Sequence, residues 1–248
     1  MNDFIFGFFY PFKSIKLFFK YPKLIGYSIV PIVINLIIYG AIFFYTYRWI
    51  EGKSEDAVSN NVSSQILFEI IQYFLKVFYF ILVLVVCYFL FVIFGGIVSA
   101  PFNEKISKYI EEKIFIIKAD TALPFFKDAA ASVVAELKKL LFYFSVMIPL
   151  LLMEFIPMIG GVITLVIGTG FSFFYNALDY LDYPLTRRMT GFREKLKIVN
   201  SKKSLSYGFG AMAFILTFIP VINVFMKPIL VAAGTSLFYE KKYSDFKP

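Results

Sequence analysis

The chain has 248 residues, of which 59% are apolar and 21% aromatic, and it carries a formal net charge of +8. Soluble domains are usually about 45–50% apolar, and the excess here lies in long charge-free runs, as expected when lipid is the solvent. With no histidine and a single cysteine, Cys87, the chain has almost no ligands for zinc, haem or iron–sulfur, cannot build a histidine triad and cannot close an internal disulfide. No metal, no cofactor and no catalytic residue is expected.

Residues 1–23 do not read as a signal peptide, because Asp3 precedes any positive charge and no small-residue cleavage site follows. Lys13, Lys16, Lys20 and Lys23 recur at helical spacing, with Phe4, Phe8, Phe12, Ile15 and Phe19 on another side. The pattern predicts a basic amphipathic helix in the headgroup region, interrupted at Pro11 and held there by anionic lipid. Residues 25–47 carry no charge and are long enough to span about 30 Å of hydrocarbon. Pro31 predicts a kink in this first span, and Asn35 predicts a hydrogen bond to a partner helix.

Residues 48–76 are a connector with three basic and four acidic residues. Residues 77–102 form the second span, with Gly95 and Gly96 near its end and Cys87 as a buried or lipid-facing small residue. Across 103–139 the recurrence of Ile106, Ile110, Ile114 and Ile117 among Lys and Glu predicts an amphipathic helix with many i,i+3 and i,i+4 charge pairs.

Residues 140–178 and 207–239 are apolar but broken by Pro and Gly. Each centres on a similar run, Phe155-Ile156-Pro157-Met158-Ile159-Gly160 and Phe218-Ile219-Pro220-Val221-Ile222-Asn223. Each then reaches small residues followed by an aromatic pair, Phe174-Tyr175 or Phe238-Tyr239. The two blocks read as a weak internal repeat of helical hairpins, with tips at Pro157, Gly160, Pro220 and Asn223. Between them, residues 179–206 hold seven basic and three acidic residues.

Topology follows from Lys and Arg beside the spans. The N-terminal arm has four, residues 103–139 and 179–206 have seven each, and residues 48–76 have three. Both termini and the two basic segments are therefore expected in the cytoplasm and only 48–76 outside. Such a chain crosses the inner membrane twice and returns each hairpin to its own side. The first arm of the second hairpin is short, so partial insertion is expected, with the tips covered by the long spans or by other subunits. The fold class expected is an all-α membrane domain over the whole chain. The placement of charge beside spans argues for lipid as the partner and against nucleic acid.

Charges within apolar blocks are costly. Glu154 and Lys227 are expected to snorkel to the interface or to pair across the two hairpins; the functional alternative is that Lys227 meets an anion and Glu154 gates. Asp179 and Asp182 share a helix face just before Arg187 and Arg188, and together with Asn103 they predict a polar network at the cytoplasmic interface. Gly168-x-Gly170 is no dinucleotide fingerprint, since no strand precedes it and Phe173 stands at the third glycine position.

In order along the chain, Ser99-Ala100-Pro101-Phe102-Asn103, Phe155-Ile156-Pro157 with Ile159-Gly160, Asp182-Tyr183-Pro184, Gly208-Phe209-Gly210-Ala211 with Phe218-Ile219-Pro220 and Asn223, and Pro228 to Gly234 resemble the CysZ sulfate permeases and the related etoposide-induced membrane proteins. The resemblance runs from about residue 5 to 243. It implies two long transmembrane helices with two partly inserted hairpins, sulfate uptake, and homo-oligomers with a pore between or within protomers. It also implies a Gly-Leu-Arg-Arg-type sulfate motif where the first span begins. Aligned on Pro22 and Pro31, this chain has Lys23-Leu24-Ile25-Gly26 there and lacks both arginines. Lys23, the Gly26 amide and the helix dipole are the expected substitutes, with altered selectivity. The function expected is passive passage of sulfate or a related oxyanion without ATP coupling. The alternative is a non-transporting scaffold of the same fold that shapes lipid or holds partners.

Overall fold

The computed structural model describes residues 2–59, 65–117, 125–188, 191–219 and 222–243. Among the described residues there are eight helices and no strand. They are α1 (Asp3–Lys20), α2 (Lys23–Ser59), α3 (Gln65–Ile114), α4 (Phe125–Met153), α5 (Gly160–Arg188), α6 (Phe192–Ser201), α7 (Lys203–Phe218) and α8 (Ile222–Glu240). By length and composition Lys23–Lys53, Gln65–Ile114, Gly160–Arg188 and Ile222–Glu240 are each able to cross a membrane. The chain is thus an all-α membrane protein, as its hydropathy predicts.

Two compact units are present, one made of Met1–Val30 and Ala100–Pro248, the other of Pro31–Ser99. The smaller unit includes α2 from Pro31 onward and α3 up to Ser99. Its side chains meet through aromatic edges, as where Phe43 and Tyr47 both contact Phe80 and Tyr39 contacts Phe91. Asn35 is buried there and donates to the Gly95 carbonyl at 3.4 Å and to Ser99 Oγ at 3.3 Å. A neighbouring helix is therefore its partner, as expected of a lone amide in an apolar span. Cys87 is buried. The connector expected over 48–76 is helical through Ser59 and again from Gln65, so α2 and α3 both outrun the charge-free segments.

The larger unit has the core. Leu178, Leu181, Ile198, Phe209, Val231, Leu237 and Phe238 are wholly or almost wholly buried in it, together with Ile106 and Ile110 of α3. Its helices approach closely at glycine. A Cβ on Gly208 would lie 2.0 Å from the Phe4 carbonyl oxygen, and one on Gly7 would lie 2.3 Å from that of Leu205. Bare backbone at both positions is what lets α1 and α7 touch. The same device joins α7 to α5 at Gly210, where a Cβ would meet the Phe173 carbonyl at 1.8 Å, and α8 to α5 at Gly234.

This contact corrects the reading of α1. The helix runs unbroken through Pro11, and the face it buries is Gly7, Tyr10, Pro11 and Ser14. The phenylalanine stripe is mostly outward: Phe4, Phe12 and Phe19 are exposed. Gly7 decides this, because backbone contact with α7 is available only on the glycine side, and that packing holds the proline in the helix. The first span is likewise assigned as one helix through Pro31.

Both apolar blocks fold as helix pairs. In the first, α4 and α5 pack together around a tip at 154–159. Met158 has φ of 67°, and a Cβ on Gly160 would lie 2.0 Å from the Met153 carbonyl oxygen. Gly160 therefore allows the chain to turn back on α4, and Thr164 fastens the turn by donating to the Leu150 carbonyl at 2.7 Å. In the second pair, α7 and α8 pack together, and the Asn223 amide donates to Ile219 at 3.0 Å. Pro220, the other expected tip residue, lies outside the described residues.

Candidate functional site

At the start of α2, the expected anion donors are only partly available. The amides of Leu24, Ile25 and Gly26 donate to the carbonyls of Tyr21, Pro22 and Pro22 at 3.0, 3.0 and 3.4 Å. Leu24 is fully buried in the core of the larger unit. Tyr21 and Pro22 thus begin the helix with their own carbonyls and consume the amides that an anion would need. The Leu24 and Gly26 amides are thus already bonded within the chain, whereas Lys23 is exposed.

A second group of charges lies inside the larger unit. On α4, Glu136 and Lys139 are three residues apart and share a face. Lys139 is only 2% exposed and binds Glu136 Oε2 at 2.7 Å and Asp179 Oδ1 at 2.5 Å, with Asp182 Oδ2 at 3.9 Å. Its Nζ also sits 4.9 Å from the centre of the Tyr183 ring. Asp182 continues the chain: its Oδ1 accepts from Lys195 of α6 at 2.6 Å, and Thr186 donates to its Oδ2 at 3.2 Å. At the other end, Lys227 of α8 stands 3.8 Å from Glu136 Oε1. Charges of alternating sign therefore run from α8 through α4 and α5 to α6.

Burial alone would drive both members of the α4 pair toward their neutral forms. For Glu136 the positive charges of Lys139 and Lys227 outweigh burial and hold its pKa below the ordinary glutamate value. For Lys139 the Asp179 and Glu136 carboxylates outweigh burial and hold its pKa well above the usual lysine value. Both groups are thus charged at neutral pH.

A third group surrounds Arg187. Glu104, Ser107 and Glu111 fall on one face of α3 at spacings of three and four residues. Arg187 pairs with Glu104 through Nη1, donates from Nε to Glu111 at 2.8 Å, and donates from Nη2 to Ser107 Oγ at 2.6 Å. On α8, Thr235 donates to Ser107 Oγ at 2.8 Å, and Tyr239 donates to Glu111 at 2.5 Å. Arg188 in turn donates to the Tyr239 hydroxyl at 3.1 Å. Asn103 donates to the Tyr183 hydroxyl at 3.1 Å and so connects α3 to α5 near the Lys139 group. Buried Tyr10 and exposed Lys13 of α1 bind Glu240 of α8 at 2.6 and 2.7 Å.

The expected residues Asn103, Asp179, Asp182, Arg187 and Arg188 are thus all engaged in polar contacts, but with different partners. The two aspartates take lysines and the arginines take groups on α3 and α8. Glu154 does not pair with Lys227: it is exposed at the first tip, whereas the carboxylate near Lys227 is that of Glu136. Sequence reasoning missed Glu104, Glu111, Glu136, Lys139 and Lys195. Their i,i+3 and i,i+4 spacing reads equally well as a solvated helix face with local pairs.

A chain whose described residues are helical but for short turns, with four helices long and apolar enough to cross a membrane, is a multi-pass membrane protein. Residues 10–228 match the family described as Sulfate transporter CysZ/Etoposide-induced protein 2.4, and the chain belongs to that family. It is 27% identical over 242 residues to a Pseudomonas paraeruginosa protein named Sulfate transporter CysZ, covering 94% of each chain. Proteins of the same name from Pectobacterium atrosepticum and Salmonella typhimurium are 25% and 27% identical. They cover 89% and 88% of this chain and 80% and 86% of their own.

Proposed function

We propose that this protein is a permease or channel passing sulfate, or a related small oxyanion, down its gradient across a bacterial inner membrane without ATP coupling. The name carried by relatives of matching length supports the solute class. The geometric observation that carries the reading is Lys227, a cation within an apolar helix that stays 22% exposed and 3.8 Å from its nearest carboxylate. Lys139, by contrast, is held by carboxylates at hydrogen-bonding distance, so it has no capacity left for a mobile anion. Lys23 is a second exposed cation for the entering ion.

The membrane arrangement we favour has α2 and α3 as the crossings, both termini in the cytoplasm and the helix pairs inserted part way. The 16 residues of α7 reach about 24 Å against about 30 Å of hydrocarbon. Exposed Phe155 and Met158 at a non-helical tip call for cover by protein, which further copies of the chain would supply. Radiolabelled sulfate should enter proteoliposomes containing the protein faster than empty vesicles, and Lys23→Ala should slow it; flux equal to that of empty vesicles would remove the transport reading. Sidedness is tested separately in a Cys87→Ser background. A cysteine replacing Lys53 should react with impermeant maleimide from the face opposite the amino terminus, and reaction from the same face would refute the two-crossing arrangement.

A second reading, a non-transporting scaffold, draws support from the neutralised state of Lys139, Lys195 and Arg187. The flux measurement decides between the two.

A further inference from the structure

Glu136 is shared unequally. Its Oε2 accepts from Lys139 at 2.7 Å, while its Oε1 faces Lys227 at 3.8 Å, beyond direct hydrogen bonding. Lys139 is fixed from both sides by Glu136 and Asp179 and is essentially sealed from solvent. Among the described residues the carboxylate nearest Lys227 is this one, at long range, and Lys227 retains access. An anion arriving at Lys227 is therefore attracted by the ammonium and repelled by the carboxylate behind it.

Resting on the transport reading above, we propose that Glu136 is a positioning residue that sets the affinity and charge selectivity of an oxyanion site centred on Lys227. It orients Lys227 while competing with the ligand for it, so the site holds its anion weakly enough to release it. The repulsion is Coulombic and linear in ligand charge, so a dianion feels twice the energy that a monoanion feels. That makes Glu136 a device that weakens sulfate more than it weakens a singly charged anion of similar size.

The test compares sulfate with nitrate at constant ionic strength. Binding is read from anion-dependent thermal stabilisation of the purified full-length protein in detergent, and flux from proteoliposomes. Glu136→Gln should lower the half-saturating nitrate concentration about threefold and that of sulfate by about the square of that factor, roughly tenfold. Glu136→Asp, which draws the carboxylate back, should show the same squared relation with smaller shifts and guards against failure of the glutamine variant to fold. Lys227→Gln should weaken both anions, and Glu136→Gln combined with Lys227→Gln should behave as Lys227→Gln alone.

Equal shifts for the two anions, a gain that survives loss of Lys227, or no anion binding by any variant would overturn the assignment. Wild-type flux with half-saturation unmoved in the Glu136 variants would sink this inference and leave transport standing. Absence of flux with the squared relation intact in binding would remove transport and leave the site.

Discussion

The two units of the chain solve the problem of lipid differently. The smaller one, Pro31–Ser99, keeps ionised groups toward the ends of its helices and holds them by aromatic edges and the amide of Asn35. The larger one buries a run of charges, Glu136, Lys139, Asp179, Asp182 and Lys195, each facing an opposite charge. Apolar helices gain nothing from pairing in lipid on hydrophobic grounds, so the smaller unit needs only shape and one polar clasp. The helices of the larger unit meet through close backbone contacts at glycine, and their buried ion pairs fix which helix sits against which. Glycine and charge cooperate there: Gly210 and Gly234 bring α7 and α8 onto α5, and the lysines then connect α5 to α4 and α6.

The sharpest way to break this contrast is to unbalance the charges. Lys139→Met leaves Glu136 and Asp179 buried without their shared cation. Breaking a buried pair on one side costs about 3–5 kcal/mol. Thermal unfolding in detergent should show the variant melting far below wild type, with the smaller unit's aromatic contacts retained longer than the larger unit's. A melting curve close to wild type would mean that water reaches these charges and that they do not hold the helices.

Next in size is the glycine contact. Gly210→Leu forces a side chain into space where even a Cβ would approach the Phe173 carbonyl oxygen to 1.8 Å. Overpacking costs about 1–3 kcal/mol, occasionally more, and α5 and α7 must separate to relieve it. Cysteines placed at facing positions of α5 and α7 should lose oxidative crosslinking in this background; undiminished crosslinking would show that the helices adjust without parting.

The same contrast explains what the sequence made legible. Charge-free runs marked α2 and α3 because a helix must be apolar wherever it lies in hydrocarbon, a requirement visible residue by residue. Breaks at Pro157 and Gly160 marked the first turn for a similar local reason. The partners of Asp179 and Arg187 were not legible. Glu136 and Lys139 sit 40 or more positions from Asp179, and within α4 their spacing looks like an exposed pair. Only tertiary packing turns that pair inward. The amphipathicity of α1 was visible, yet its buried face was not, because Gly7 contributes no hydrophobicity to any periodic pattern while deciding where the backbone can touch. At the start of α2, the absence of the arginine pair could be read directly, but not the consumption of the Leu24 and Gly26 amides by Tyr21 and Pro22, which depends on how the preceding turn closes.

The smallest expected effect sharpens the comparison from the other side. Asn35→Leu removes the clasp between α2 and α3, deleting contacts of 3.4 and 3.3 Å to the Gly95 carbonyl and Ser99 Oγ. Hydrogen bonds between membrane helices contribute about 0.6 kcal/mol on average and at most about 1.7, because a separated helix finds other partners. The Gly95 carbonyl is also served without Asn35, since Ser99 donates to it at 2.8 Å, and Ser99 Oγ keeps that bond. Leucine restores apolar contact while leaving no unsatisfied group, and the Asn35 Oδ1, which is buried without a partner, is lost at no cost. Thermal unfolding should therefore shift by little, in contrast to Lys139→Met. A shift as large as that of Lys139→Met would show that the amide, and not the aromatic seam, holds the two long helices together, and the distinction between the units would fail.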